Sequence, residues 1–311
     1  MSHEIETMFS VREKPWHYEY TKDATKIIQE APTSAEALKA AGLDWTVHRK
    51  PVFDEYGKEI PGYRMNVRDK DERILGVVSD RYSLIQNKEA FEFTDSLLGE
   101  GITYETAGSL RGGKQIWLLA KMPERELVGD KLEPYLCFTN SHDGTGAVRV
   151  CMTPIRVVCN NTLNLALNGA ARCWSAPHRG DIQRQLEAAR ATLRLANHYL
   201  TRLDEVGDQL ANESMTEGEM RDTLDRLFPV NEDDSDRVKE TLERKKDQII
   251  ICTLAPDLLK FANTKWAFIN GVADFIDHTD PLRKTKHWQE HRWDKIMTGS
   301  GLLDRALKAV S

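Results

Sequence analysis

Apolar and polar positions alternate most clearly between Pro134 and Asn168, PYLCFTNSHDGTGAVRVCMTPIRVVCNNTLNLALN. Leu136, Phe138 and Asn140 share one parity, and Cys137, Thr139 and Ser141 the other. Beyond His142-Asp143-Gly144-Thr145-Gly146, Val148, Val150 and Met152 alternate with Ala147, Arg149, Cys151 and Thr153. A period of two on each side of an Asp-Gly turn predicts an antiparallel hairpin, half buried, with one greasy face. Thr153-Pro154 is expected to stop the ladder, because proline has no N–H to donate. From Ile155 the pattern turns helical through Leu167.

The same periods predict elements elsewhere. A short helix over 35–41 follows Thr33-Ser34 and ends at Gly42. Extended segments fall at 45–48 and 63–67, and 74–79 reads as a buried strand. Asn87 caps a helix over 88–98 whose stripe is Ala90, Phe91, Thr94, Leu97 and Leu98. Residues 104–110 and 114–121 form a second hairpin across Arg111-Gly112-Gly113. The order β-β-α-β-β-β-β-α over 62–168 describes an α+β domain, an antiparallel β-meander with helices packed on one face. After Pro177 the period becomes helical: Ile182, Leu186, Ala189, Leu193, Ala196, Leu200 and Leu203 stripe one long helix. Further helices are predicted over 215–227, 236–252, 266–278 and 302–310. The expected organisation is an N-terminal arm with a short helix (1–43), a sheet domain (44–176) and a mostly helical C-terminal region (177–311).

Composition narrows the class. With 311 residues, 30% charged and 40% hydrophobic, the chain has ordinary globular usage and enough length for a real core. A net charge of −6 counts against bulk attraction to phosphate. The charge is uneven, however: 44–180 balances acids and bases, while 181–263 carries eighteen acids and twelve bases. The first residues lack an apolar leader and no run of eighteen apolar residues occurs, so a cytoplasmic protein without a membrane span is expected. Five cysteines, an odd number without C-x-x-C spacing, suggest buried free thiols rather than a disulfide framework or a zinc site.

The common chemical motifs are missing: no P-loop, no G-x-G-x-x-G, no G-x-S-x-G and no H-E-x-x-H. Ser141-His142-Asp143 are adjacent, so alternate side chains diverge and cannot form a proton relay; a turn held by the Asp143 carboxylate is the better reading. Cys159 beside Asn160 and Asn161, with His142, is the remaining nucleophile candidate, but Val157 and Val158 favour a buried structural thiol. His287 and His291 stand at i and i+4 without a third ligand, so a solvated helix face is favoured over a metal site. No cofactor or metal is expected. Trp117 and Lys121 on one strand and Arg149 on another combine a stacking aromatic with cations, a way of holding single-stranded nucleic acid. Arg111 and Lys114 flank a flexible tip. The competing reading makes Trp117 core and the cations ordinary surface charge.

The segments LGVVSDRYSLIQNKEAF, YETAGSLRGGKQIWLLAKMP and TNSHDG followed by TPIRVVCNNTL resemble the bacterial phage/plasmid-like protein family, a domain of unknown function carried on mobile elements. The likeness spans about residues 40 to 300. Its motif residues here are Asn140, Ser141, His142, Asp143, Gly144, Thr153, Pro154, Asn160, Asn161 and Thr162. The chain departs from the family's N-terminal pattern, in which Pro-Trp-His precedes a glycine-containing segment; here Pro15-Trp16-His17 leads into Tyr18-Glu19-Tyr20. The resemblance implies phage or plasmid biology, and the architecture is similar to that of single-strand annealing proteins. The leading expectation is therefore a non-enzymatic protein that binds single-stranded DNA and promotes annealing, as a homo-oligomer or with other phage or host proteins. Its contacts would be Arg81, Tyr82, Arg111, Lys114, Trp117, Lys121, Arg149 and Arg156. The alternatives are a protein-interaction or host-takeover factor and an enzyme built on Cys159, His142 and Asn161.

Overall fold

A computed structural model describes residues 5–11, 25–29, 33–95, 103–156, 163, 165, 167, 172–280, 284–285, 288 and 301–311. The class is α+β, a largely antiparallel N-terminal sheet region followed by a mainly helical one. The chain divides into two compact units. Residues 1–123, 135–152 and 173–194 form the first, and 124–134, 153–172 and 195–311 the second.

The first unit contains β1 (Ile5–Ser10), β2 (Thr25–Ile27), α1 (Ser34–Ala40), β3 (Val47–Phe53), β4 (Glu59–Arg68), β5 (Ile74–Ser79), α2 (Asn87–Asp95), β6 (Thr103–Leu110) and β7 (Gln115–Lys121). A capping box starts α1: the Glu36 N–H donates to Thr33 Oγ1, and Glu36 accepts from the Thr33 N–H. β8 (Arg125–Leu127) lies in the second unit and pairs with the start of β9 (Asp130–Ser141). Then come β10 (Val148–Arg156) and β11 (Cys173–Ala176). The main sheet runs β11-β10-β9-β7-β6-β1-β2, and β3-β4-β5 form a separate antiparallel sheet. The β6–β7 hairpin is as expected, with Leu110 opposite Gln115 and Thr103 opposite Lys121. Its turn residues Arg111, Gly112 and Gly113 all have positive φ, of 55°, 66° and 87°. Two glycines in three make that backbone accessible.

Several expectations are corrected. The single meander is split, because β3-β4-β5 leave the main sheet; the polar N-terminal arm supplies β1, which pairs with β6. Met8 and Phe9 bury it, two side chains too few to register as a period. β9 is not half buried: Tyr135, Leu136, Cys137 and Phe138 are all inside, so both faces of this strand are covered. β10 runs through Thr153-Pro154 to Arg156. β11 pairs only with Val148–Cys151, so beyond Cys151 the edge of β10 has no β11 partner that would need a proline N–H. Leu163, Leu165 and Leu167 are not helical. Cys151 and Cys173 stand opposite each other, with Cα atoms 4.1 Å apart, and form a disulfide. Twenty-two residues of separation hide that register from any spacing rule. Cys137 is a buried free thiol as expected, and Cys252 is partly buried and free.

The helices of the second unit follow the predicted periods: α3 (Ile182–Asn212), whose residues from Leu195 belong here, α4 (Glu217–Leu227), α5 (Asp236–Thr253), α6 (Lys265–His278) and α7 (Gly301–Val310). Trp266 to Ala273 are buried on every side of α6. Among the described residues no helix is long and apolar enough to cross a membrane.

One close approach is open to test. A Cβ on Gly76 of β5 would lie 2.6 Å from Asp143 Cα and 2.8 Å from its carbonyl oxygen, backbone atoms with no rotamer to change. Gly76→Ala should therefore destabilise the fold by about 1–3 kcal/mol in a urea titration. Gly301→Ala, where a Cβ meets nothing within 4 Å, should stay within about 0.5 kcal/mol.

Candidate functional site

The loop after β9 organises the first unit's polar interior. Asp143 Oδ1 accepts from Ser141 Oγ (2.6 Å), the Thr145 N–H (2.9 Å) and Thr145 Oγ1 (2.7 Å), so the turn is held by its carboxylate as the sequence suggested. Burial alone would raise the Asp143 pKa, but these hydrogen bonds and nearby Lys114 bring it below the usual carboxylate range. Gly144 sits at φ +79°, and the Gly146 N–H donates to Ser141 Oγ at 3.2 Å. Because Ser141 is spent on Asp143, the three adjacent residues form no relay.

His142 is wholly buried and fixed from several directions. Its N–H donates to the Lys114 carbonyl (2.7 Å), and its carbonyl accepts from Asn66 Nδ2 (2.7 Å). Nε2 lies 2.9 Å from Asn87 Oδ1, and the Trp45 ring meets the imidazole edge-on at 5.4 Å. Asn87 Nδ2 already donates to the Leu43 carbonyl, so Asn87 Oδ1 accepts and His142 Nε2 carries the proton. Nδ1 is then the bare acceptor. Similarly, His178 Nδ1 faces the Ser83 carbonyl at 2.9 Å, which assigns its proton there and leaves Nε2 bare. His142 Nδ1, His178 Nε2 and the Oδ1 atoms of Asn66 and Asn140 have no hydrogen-bond partner among the described residues. All four are acceptors. Burial holds the His142 pKa down to about 3, helped by His178, and burial lowers His178 as well. Both rings are neutral at physiological pH.

Tyr82 completes the cluster. Its ring stacks on His178 with centroids 4.5 Å apart, and its hydroxyl donates to the Ser141 carbonyl. Burial raises its pKa. Asn140 Nδ2 donates to the Ile85 carbonyl at 3.2 Å, so the 82–85 segment runs along the end of β9.

A second group of polar side chains surrounds the β6–β7 tip. Arg68, 4% exposed, makes paired bonds to Glu6 (2.7 and 2.8 Å) and to Asp71 (2.8 and 2.6 Å), and its guanidinium lies 5.3 Å from the Trp45 ring centre. These contacts raise its pKa, and the bond from Arg68 lowers that of Glu6. Arg73 reaches Glu6 Oε1 at 3.4 Å and the Gly112 carbonyl at 3.5 Å, yet its side chain stays 48% exposed. Cβ atoms on Gly112 and Gly113 would lie 2.4 Å from Arg73 Nη1 and 2.8 Å from Arg68 Nη1. The glycines thus admit both guanidinium groups beside Arg111 and Lys114.

The eight residues read from sequence as DNA contacts are not brought to one place. Trp117, 4% exposed, and Tyr82 are core, so neither presents a ring face to a base. Arg111 and Lys114 are half-buried at the tip. Lys121 ends β7, six residues or about 20 Å along the strand from Gln115. Arg81 is exposed beside the Tyr82–Arg179 bridge, and Arg149 is exposed on β10 opposite Ser175. The side chain of Arg156 lies outside the described residues, as do Cys159, Asn160, Asn161, Thr162, His287 and His291; Thr153 and Pro154 are buried in β10. Sequence reasoning missed Asn66 and His178. A lone Asn in the apolar strand Tyr63-Arg64-Met65-Asn66-Val67 was a usable signal, since Asn is depleted in strands unless it bonds. Nothing in Pro177-His178-Arg179 points inward. Among the described residues no three His, Cys, Asp or Glu side chains are grouped to hold a metal ion.

The His142 cluster makes stability depend on pH. The folded ring resists protonation down to about 3 while the unfolded ring takes a proton near 6.5. Protons therefore favour the unfolded chain across that window: stability is complete above about 6.5 and declines as pH falls towards 3. His142→Phe keeps the ring volume but leaves Asn87 Oδ1 without its donor. It should cost about 1–3 kcal/mol at neutral pH and flatten the acid slope, both read from denaturation curves at several pH values.

Comparison with known proteins adds a family. No curated protein and no solved structure matches the chain. A family model does, over residues 74–297, well over half of the sequence. The match takes in β5, the hairpin tip, the loop of Ser141, His142 and Asp143, and His178, and on that extent the chain belongs to the family described as a domain of unknown function, DUF932.

Proposed function

We propose that this chain is a non-enzymatic protein of a phage or plasmid that binds single-stranded DNA through its phosphates and thereby promotes strand annealing. The observation that carries this reading is the β6–β7 tip, where the half-exposed Arg73 meets Arg111 and Lys114 around Gly112 and Gly113 although more than forty residues separate the first from the last. A glycine tip at positive φ brings cations close without side chains between them. The binding is local rather than a property of overall charge, since the first unit holds 22 bases against 23 acids and the second 21 against 26. With Trp117 and Tyr82 inside the core, recognition rests on phosphates, so affinity is indifferent to base identity.

A separate observation favours an alternative. On one face of β3-β4-β5, Tyr63 opposite Ser79 and Val77 opposite Met65 place two apolar side chains about half exposed. Nearby cations are already bound to acids, Lys50 to Glu72, and Arg64 to Glu59 and Asp80. Such a face suits a protein contact better than a phosphate.

Titration of fluorescent single strands at two salt concentrations separates the readings. Phosphate binding gives an affinity that falls steeply with salt, and Arg73→Ala or Lys114→Ala should each lower the log–log slope by about 0.7 without altering the melting temperature much. No binding at low salt, or binding that ignores both substitutions, would overturn the reading and leave the sheet face as the surface to pursue.

A further inference from the structure

We propose that the Cys151–Cys173 disulfide is a thiol-sensitive clasp that holds His178 in the buried polar cluster. The inference concerns the first unit alone and is independent of the DNA reading. β11 is a four-residue edge strand, and of its residues only Ala176 is buried. A strand so short with so little apolar surface inside is weakly held by its ladder. The disulfide fixes its first residue to β10. Two residues past its end, His178 stacks on Tyr82, and the Ser83 N–H donates to the His178 carbonyl at 2.9 Å. Tyr82 in turn pairs with Arg179. The clasp and the stack are therefore joined by Trp174, Ser175, Ala176 and Pro177, and loosening one end frees the other.

Accessibility is asymmetric in the way exchange requires. Cys173 is exposed and Cys151 is buried, so an attacking thiolate meets Cys173 Sγ. That attack forms a mixed disulfide on Cys173 and breaks the Cys151–Cys173 bond. Cys151 Sγ leaves with the electron pair and takes up a proton. A second thiol then attacks the mixed disulfide, releasing the oxidised small-molecule disulfide and the Cys173 thiolate, which is protonated. Two thiols are oxidised by two electrons together, and the cystine gains the same two.

The test is amide hydrogen exchange on the full chain, with and without a small-molecule thiol, beside a thiol count in denaturant. Reduction should raise the free thiols by two and speed exchange at the Ser83 amide about tenfold, while Leu118 in the central strand stays protected. The Cys151→Ser, Cys173→Ser double variant should exchange fast at Ser83 with or without thiol. Three results would overturn the proposal: no rise in thiols on reduction, a rise without change at Ser83, or equal acceleration at Leu118, which would make the bond a general staple of the fold.

Discussion

The first unit depends on a buried histidine that must stay neutral. His142 joins the start of β7 through Lys114, β4 through Asn66, α2 through Asn87 and the segment before β3 through Trp45. Each of these bonds is worth only about 1 kcal/mol net, but stranding a buried partner costs more than that, so the set behaves as a unit. Both sheets of the first unit are fixed by it, since Asn66 belongs to β3-β4-β5 and the His142 loop continues β9 of the main sheet. A charged ring there would face desolvation with no carboxylate bonded to it. Asp143, the adjacent acid, is committed to Ser141 and Thr145.

That arrangement orders the surface features around it. His142 is bonded to Lys114, which follows the glycine tip, so the basic tip is set by the same loop that carries Asp143. His178 reaches the cluster from the far edge of the sheet, by way of β11 and its disulfide. The one serine hydroxyl in the loop donates to a carboxylate, the tyrosine hydroxyl donates to a carbonyl, and both histidines are pinned by one nitrogen. Bare acceptors are what remains.

Much of this was legible in the sequence where local physics decides. The Asp143 turn, the Arg111-Gly112-Gly113 hairpin and the helical periods after Pro177 are short-range features, and they stand as read. What failed was long-range. Trp117 shares its parity with Gln115 and Lys121 and reads from sequence as a surface residue, yet Ile116 to Ala120 are all buried, so both faces of its strand are covered. β1 hides in a polar arm because its burial comes from β6, a hundred residues away. The pairing of Cys151 with Cys173 is a matter of register, which spacing does not encode, and His178 enters the site only because Tyr82 receives it. Among the site's residues, His142 and Asp143 stood out, while Asn66 could have been found by asking where a strand asparagine bonds.

The most direct measurement is the nitrogen NMR of the His142 ring, followed from about pH 7.5 down to about pH 4.5. With its proton fixed on Nε2 by Asn87 and its pKa held down to about 3 by burial, the ring should show one protonated and one bare nitrogen throughout, the bare one being Nδ1. A titration centred near 6.5, or a proton resident on Nδ1, would contradict the account, because His142 would then be neither buried nor bonded as described.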